Sequence, residues 1–244
     1  MPTLETLRTQ IKKIIKDPEY HVDSDLNLLI NQLIMKIAAG IRMPDGSVSP
    51  PLPDLYTSED IETTTLPYVA MPSTFHNRQK SLVRVADSNG TKILSPDGGD
   101  YGSFQLFLNR TTLAQTGSVF MCAVKGNNLY YQGIPASAQT LTLHFYRKPV
   151  DLTTGTEEPD GLPDHLALPL IKHGVCMEIF GEGLEDGEDN KGTGMKYHTA
   201  KFYEAMSDLV EFVGYDLEPE YFHTDSGGLD SSDALMVSSW QTAI

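Results

Sequence analysis

Seven histidines, two cysteines and a large excess of carboxylates are the groups in this 244-residue chain that could carry chemistry, and their spacing decides what they can do. A metal-activated water needs His, Cys or carboxylate ligands closing on one ion, most simply through an HExxH segment or paired Cys/His spacings. His165 and His173 lie eight positions apart and no such spacing occurs, so surface or structural histidines are expected. His144 falls on the outer side of an alternating strand segment, and no GxSxG-type nucleophile accompanies it. It is therefore read as an exposed or partner-facing residue rather than a general base. Cys122 and Cys176 are distant in sequence and are read as reduced, inert thiols; Cys176 lies in an apolar run, where a thiol behaves as a small hydrophobe.

The stretch LEDGEDN, residues 184 to 190, alternates oxygen donors (Asp186, Glu188, Asn190) as a calcium loop does. It departs from that pattern where the pattern matters, with Lys191 in place of the turn glycine and Tyr197 in place of the closing glutamate. A carboxylate pair could also serve a glycosidase, but that chemistry needs the two groups on rigid elements at fixed separation, and these sit in a glycine-rich loop. Glu182, Glu185, Asp186, Glu188 and Asp189 are accordingly read as a solvated acidic loop, with a hydrolase as the weakest alternative. No phosphate-cradling glycine motif is present. The expectation is a protein with no catalytic residues, no metal and no cofactor.

Charge narrows the partners. There are 33 acidic and 18 basic residues, a formal net charge of −15. A nucleic-acid surface needs clustered Lys and Arg, so tight DNA binding is not expected. Acidity aids solubility, and it also suits a surface that lies beside DNA without gripping it. With 40% apolar residues the chain can bury a core without disulfides. No stretch approaches the roughly 18 apolar residues of a membrane span, and MPTLETLRTQIKK lacks a signal-peptide core; a soluble, cytosolically made protein with no membrane partner is expected.

The elements that must position these groups follow from periodicity. Leu4, Leu7, Ile11, Ile14 and Ile15 recur at helical steps between Thr3 and the stop at Asp17-Pro18. A second helix opens at VDSDL, with Asp23 or Ser24 as its cap, and carries Leu26, Leu29, Ile30, Leu33, Ile37 and Ile41. Residues 43 to 60 hold four prolines and no period, predicting a crossing loop. From 61 to 150, short runs (IETTTLPYVAMP, KSLVRVAD, SFQLFLN, SVFMCAVKG, NNLYYQG, TLTLHFYRKP) predict a small antiparallel sheet in which the last two form a hairpin. In TLTLHFYRKP, Leu141, Leu143 and Phe145 take one face and Thr140, Thr142, His144 and Tyr146 the other.

The helical period returns with Leu166, Leu170, His173, Met177 and Phe180, where Pro169 should distort the first turns. After a loop through GEGLEDGEDNKGTG, Met195, Phe202, Met206, Leu209 and Val213 define a last helix ending at Gly214. The fold class expected is α+β: a helical bundle from residues 1–42 and 151–213, an inserted β-rich region over 43–150, and an extended C-terminal arm over 214–244. That arm is polar and acidic, yet Leu235, Met236, Val237, Trp240 and Ile244 stand at its end. Apolar anchors on such a segment point to docking on a partner.

The order of segments resembles one family. LETLRTQI, DSDLNLLINQLI, TTTLPYVAMPSTF, GNNLYYQGIPASAQTLTLHFYRKPV and LPDHLALPLIKHGVCMEIF together resemble the tailed-phage head-to-tail adaptor (connector) proteins over about residues 3 to 213. Ser24-Asp25-Leu26-Asn27 is a shifted form of that family's helix-opening phrase, and Leu66-Pro67 precedes Phe75 as its Leu-Pro phrase does. Gly126 through Leu129-Tyr130, followed by Tyr146-Arg147-Lys148-Pro149, matches best, and Leu162-Pro163 opens the next helix.

The resemblance implies a non-enzymatic virion subunit, assembled in the host cytoplasm as a ring, commonly a dodecamer, beneath the portal protein. It would extend the DNA channel, letting DNA pass without specific binding, and offer a platform to tail or nozzle proteins. The arm carrying Trp240 would dock on the portal, the acidic loop of Glu182 to Asp189 would face the channel, and Tyr130, Tyr131, His144 and Tyr146 would form a subunit or tail interface. A non-catalytic binding module of a virion, recognising a tail-fibre partner or carbohydrate, is the alternative.

Overall fold

A computed structural model describes residues 1–15, 22–77, 81–110, 115–181 and 188–216, with side chains in the last of these stretches described from 194 to 214. Helix α1, Leu4–Lys12, forms because Leu4, Leu7 and Ile11 fall on one stripe, all fully buried, and because the Thr3 hydroxyl accepts the Thr6 amide at 3.3 Å. Helix α2, Asp23–Ala39, has Val22 at its cap position, with no side-chain cap. Asp23 and Ser24, either of which was expected as the cap, both lie within the helix, and Asp23 meets Arg8 of α1 at 2.9 Å and Lys12 at 2.7 Å.

The proline-rich region is not loop throughout. A single tight turn over Pro53–Leu55 leads into β1, Tyr56–Glu62, which begins inside the stretch expected to be irregular. β2 (Tyr68–Ala70) and β3 (Leu82–Asp87) follow. The segment SFQLFLN is helix α3, Phe104–Arg110, rather than a strand. Both periods are present in it: alternation would bury Leu106 and Leu108, whereas the i, i+3 pair Phe104 and Phe107 is what packs, leaving Leu106 and Leu108 exposed.

β4 (Met121–Lys125) and β5 (Asn128–Gln132) form the tight hairpin, closed by Gly126 and Asn127, with Gly126 at φ +61°. β6 (Thr140–Tyr146) is not the hairpin partner of β5. It lies in a different sheet, of order β1-β6-β3, while β5 is the centre of β2-β5-β4; all neighbours are antiparallel. The divergence begins at Gly133, whose φ of +83° turns the chain where a Cβ would stand 2.0 Å from the Ser118 carbonyl oxygen. Only glycine fits that approach.

The two sheets face each other across one buried cluster: Leu82 and Val85 of β3 and Leu141, Leu143 and Phe145 of β6 against Cys122, Leu129 and Tyr131 of the other sheet. α3 covers the outer side of the second sheet through Phe104 and Phe107 on Met121, Ala123 and Tyr130. That sheet is covered on both faces, which is why MCAVK and NLYYQ show no clean alternation.

Helix α4, Asp164–Gly181, runs unbroken through Pro169, and α5, Glu188–Asp216, starts within the loop expected to separate them and continues past Gly214. Phe202, Met206, Leu209 and Val213 are buried as expected, but Met195 is 44% exposed. α1, α2, α4 and α5 share a second core that Met43, Leu52, Leu55, Leu152 and Leu162 complete from the connecting segments. The architecture is α+β. No helix among the described residues is long and apolar enough to cross a membrane.

Candidate functional site

The junction between the sandwich and the helices is built at the end of β6. Arg147 follows the strand and makes a two-pronged bond to Asp160, Nη1 to Oδ2 at 2.5 Å and Nη2 to Oδ1 at 2.9 Å. Asp160 Oδ2 also accepts the Val150 amide at 2.9 Å. Burial alone would raise the Asp160 carboxyl, but the bonds from Arg147 and Val150 and the guanidinium charge hold it below the usual carboxylate value. Further along the same connection the Leu4 and Glu5 amides reach the Glu157 and Gly155 carbonyls at 2.8 and 3.0 Å. Asn31 exchanges two hydrogen bonds with the Leu152 backbone. The segment after β6 therefore fixes α1 and α2 relative to the sheet.

Beside this junction lies an aromatic face. The register Tyr56↔Tyr146 and Ser58↔His144 places Tyr56, His144 and Tyr146 together on the outer side of the β1-β6-β3 sheet. Tyr56 stacks on His144 at 6.1 Å between ring centroids and meets Tyr146 edge-on at 5.7 Å. Tyr56 is 42% exposed, His144 is half-buried, and Tyr146 leans partly on the helical core.

The other two tyrosines expected at an interface are elsewhere. Tyr130 belongs to the second sheet, half-buried between Phe104 at 4.8 Å and Tyr68 at 5.4 Å, with Lys125 Nζ 4.8 Å above the Phe104 ring. Tyr131, expected to be exposed, is fully buried between the sheets. Its hydroxyl accepts the Thr64 amide at 2.8 Å and donates to the Thr64 carbonyl at 3.0 Å. Its place in a central strand covered on both faces is the reason. Leu235, Met236, Val237, Trp240 and Ile244 lie outside the described residues, as do Glu182, Glu185 and Asp186; Glu188 and Asp189 begin α5, without described side chains.

One feature of the helical side had no motif to announce it. His173 of α4 and His198 of α5 are buried, with their Nδ1 atoms 2.8 Å apart, and Phe180 stacks on the His198 ring at 5.5 Å. The signal for it was periodicity, since His173 stands on the α4 stripe and His198 precedes Phe202 by one turn. Between α2, α4 and α5 there is a groove of about 310 Å³, walled by Leu33, Ile41, Met177 and Phe202, with the Lys36–Glu178 ion pair at its rim. Both cysteines are free and buried, and burial pushes the Cys122 thiol well up from its ordinary value. Among the described residues no group of three or more His, Cys, Asp or Glu could hold a metal ion. What the site offers is surface: an aromatic face beside the Arg147–Asp160 junction.

The family model of the SU10 adaptor proteins matches residues 2–219, nearly the whole chain. The protein belongs to that family, a family of phage structural adaptor proteins. A comparison with curated proteins finds no match.

Proposed function

We propose that this chain is the head-to-tail adaptor of a tailed phage, a subunit that assembles as a ring, commonly of twelve copies, beneath the portal protein. The ring extends the DNA channel and presents a platform to tail or nozzle proteins. The observation that carries this reading is the family match from residue 2 to 219. The net charge of −15 supports a channel wall along which DNA slides, because an anionic surface holds no phosphate backbone. The rigid Arg147–Asp160 junction supports a part that bears load.

In this reading the C-terminal residues Leu235, Met236, Val237, Trp240 and Ile244 dock on the portal, and Tyr56, His144 and Tyr146 belong to a subunit or tail interface. The test is co-sedimentation of the purified chain with purified portal, with and without residues 229–244. The full chain should travel with the portal as a defined particle and the truncated chain should not. Equal co-sedimentation of both would remove the arm from the account, and no co-sedimentation of either would remove the portal.

A further inference from the structure

The helical core is left unfinished in one place. Gly174 of α4 lies where Leu33 of α2 and Phe202 of α5 come together, so close that an added Cβ would stand 2.4 Å from the Leu33 side chain and 2.9 Å from the Phe202 ring. Glycine there lets side chains of α2 and α5 meet over α4. One turn further along α4, at Met177, the groove of about 310 Å³ opens between the same helices. Ile41, Met177 and Tyr203 on its walls pack against the core yet remain only partly buried. Among the described residues its only charged walls are Lys36 and Glu178, which neutralise each other in their ion pair. Such walls favour an uncharged, apolar occupant.

One segment of this chain has that character. Residues 234 to 244, ALMVSSWQTAI, carry no Asp, Glu, Lys or Arg, and Leu235, Met236, Val237, Trp240 and Ile244 are among them. They follow in sequence from α5, which supplies one wall of the groove through Phe202 and Tyr203. From Tyr203 to the end of α5 at Asp216 the helix rises about 20 Å, at roughly 1.5 Å per residue. Residues 217 to 233 can span up to about 56 Å when extended. The apolar tip of the arm therefore reaches the groove of its own subunit with length to spare.

We propose that the groove between α2, α4 and α5 holds the apolar tip of the same chain's C-terminal arm, Trp240 included, until the portal takes the tip away. The inference rests on the portal-docking reading of the arm and adds a competitor to it. A tip seated in the groove is withheld from the portal, so the measured affinity is reduced by the fraction of chains whose arm is free. With the groove occupied in about nine chains of ten, opening it raises portal affinity about tenfold. The latch also keeps apolar side chains covered in a subunit that has not met the portal, where exposed ones invite misassembly.

Trp240 is the only tryptophan in the chain, so its fluorescence reports on the tip alone. Its emission and its quenching by acrylamide are read without portal in the full chain, in Met177→Glu, which puts a charge on the groove wall, and in L235S/V237S, which changes only the tip. Thermal unfolding checks that each variant folds. Both variants should move the emission to longer wavelength and steepen the quenching, and Met177→Glu should bind purified portal about tenfold more tightly than the wild type. A wild-type Trp240 as open to acrylamide as in the variants would overturn the latch and leave the portal reading, which truncation of residues 229–244 tests, standing. Protection that fades on dilution as a dimer's mass gives way to a monomer's would put the tip in a neighbour's groove and overturn the same-chain latch. A protected Trp240 with portal binding unaffected by Met177→Glu and by the truncation would leave the tip in its groove and overturn its release to the portal.

Discussion

His173 and His198 face each other across α4 and α5 with 2.8 Å between their Nδ1 atoms, so one ring donates and the other accepts. Burial, with Lys172, His198 and Lys201 adding to it and Glu204 opposing, lowers His173 to about 4; burial and Lys172 lower His198 as well. The unfolded chain takes up protons on both rings below about pH 6.5, whereas in the folded chain both rings resist, His173 until near 4. The pair's contribution is whole above pH 6.5 and is lost as the pH falls from there towards 4. Denaturation midpoints measured from pH 8 to 4 should drop in that window, and the H173Q/H198Q chain should show a shallower drop. An unchanged slope would remove the pair from the pH response.

Arg147→Ala leaves the half-buried Asp160 carboxylate without its guanidinium and should cost about 2 kcal/mol in urea unfolding, the scale of a hydrogen bond to a charged group. Because the folded Asp160 value is lowered, this stabilisation is present above about pH 3.9 and disappears as the pH falls through the lower folded value. R147A/D160A should lose less than the two single changes added together, since the residues act as one contact.

Tyr131 and His144 were expected to play the same part, and the structure separates them. Tyr131→Phe removes the hydroxyl of a buried side chain that bonds the Thr64 amide and carbonyl, and should cost about 1 kcal/mol with self-association unchanged. His144→Ala should stay within about 0.5 kcal/mol of wild type in stability and weaken assembly measured by mass. The reverse outcome would exchange their roles.

Two glycines of positive φ should respond unequally to alanine. At Gly126, φ +61°, an added Cβ meets open space, so the cost is the left-handed conformation alone, about 1 kcal/mol. At Gly133 the Cβ would also strike the Ser118 carbonyl, and the loss should reach about 3 kcal/mol. Thermal unfolding of the two variants compares them directly, and equal losses would show that the turn after β5 yields without strain.

The sequence was most legible where one face packs and the other meets water. α1 and β6 followed from their periods, and the Leu141, Leu143, Phe145 face is the buried one. It was least legible where both faces are covered, because a doubly buried strand such as β5 loses its alternation and Tyr131 cannot be told from Tyr130 by position. α3 was misread because seven residues fit two periods at once, and only the sheet it covers decides between them. The pairing of β6 with β1 and β3 rather than β5 spans distant segments, and no local signal carries it. The aromatic face was half visible: His144 and Tyr146 stood in one alternating strand, while Tyr56 joins them only through register with a strand hidden in the proline-rich stretch.

The central claim is that this chain forms a ring on a portal, and the mass of the particle tests it most directly. Purified chain should be measured alone and after mixing with purified portal assemblies. The account predicts a closed oligomer of fixed stoichiometry, commonly twelve copies, on the portal. A chain that remains monomeric at every ratio and leaves the mass of the portal unchanged would contradict it.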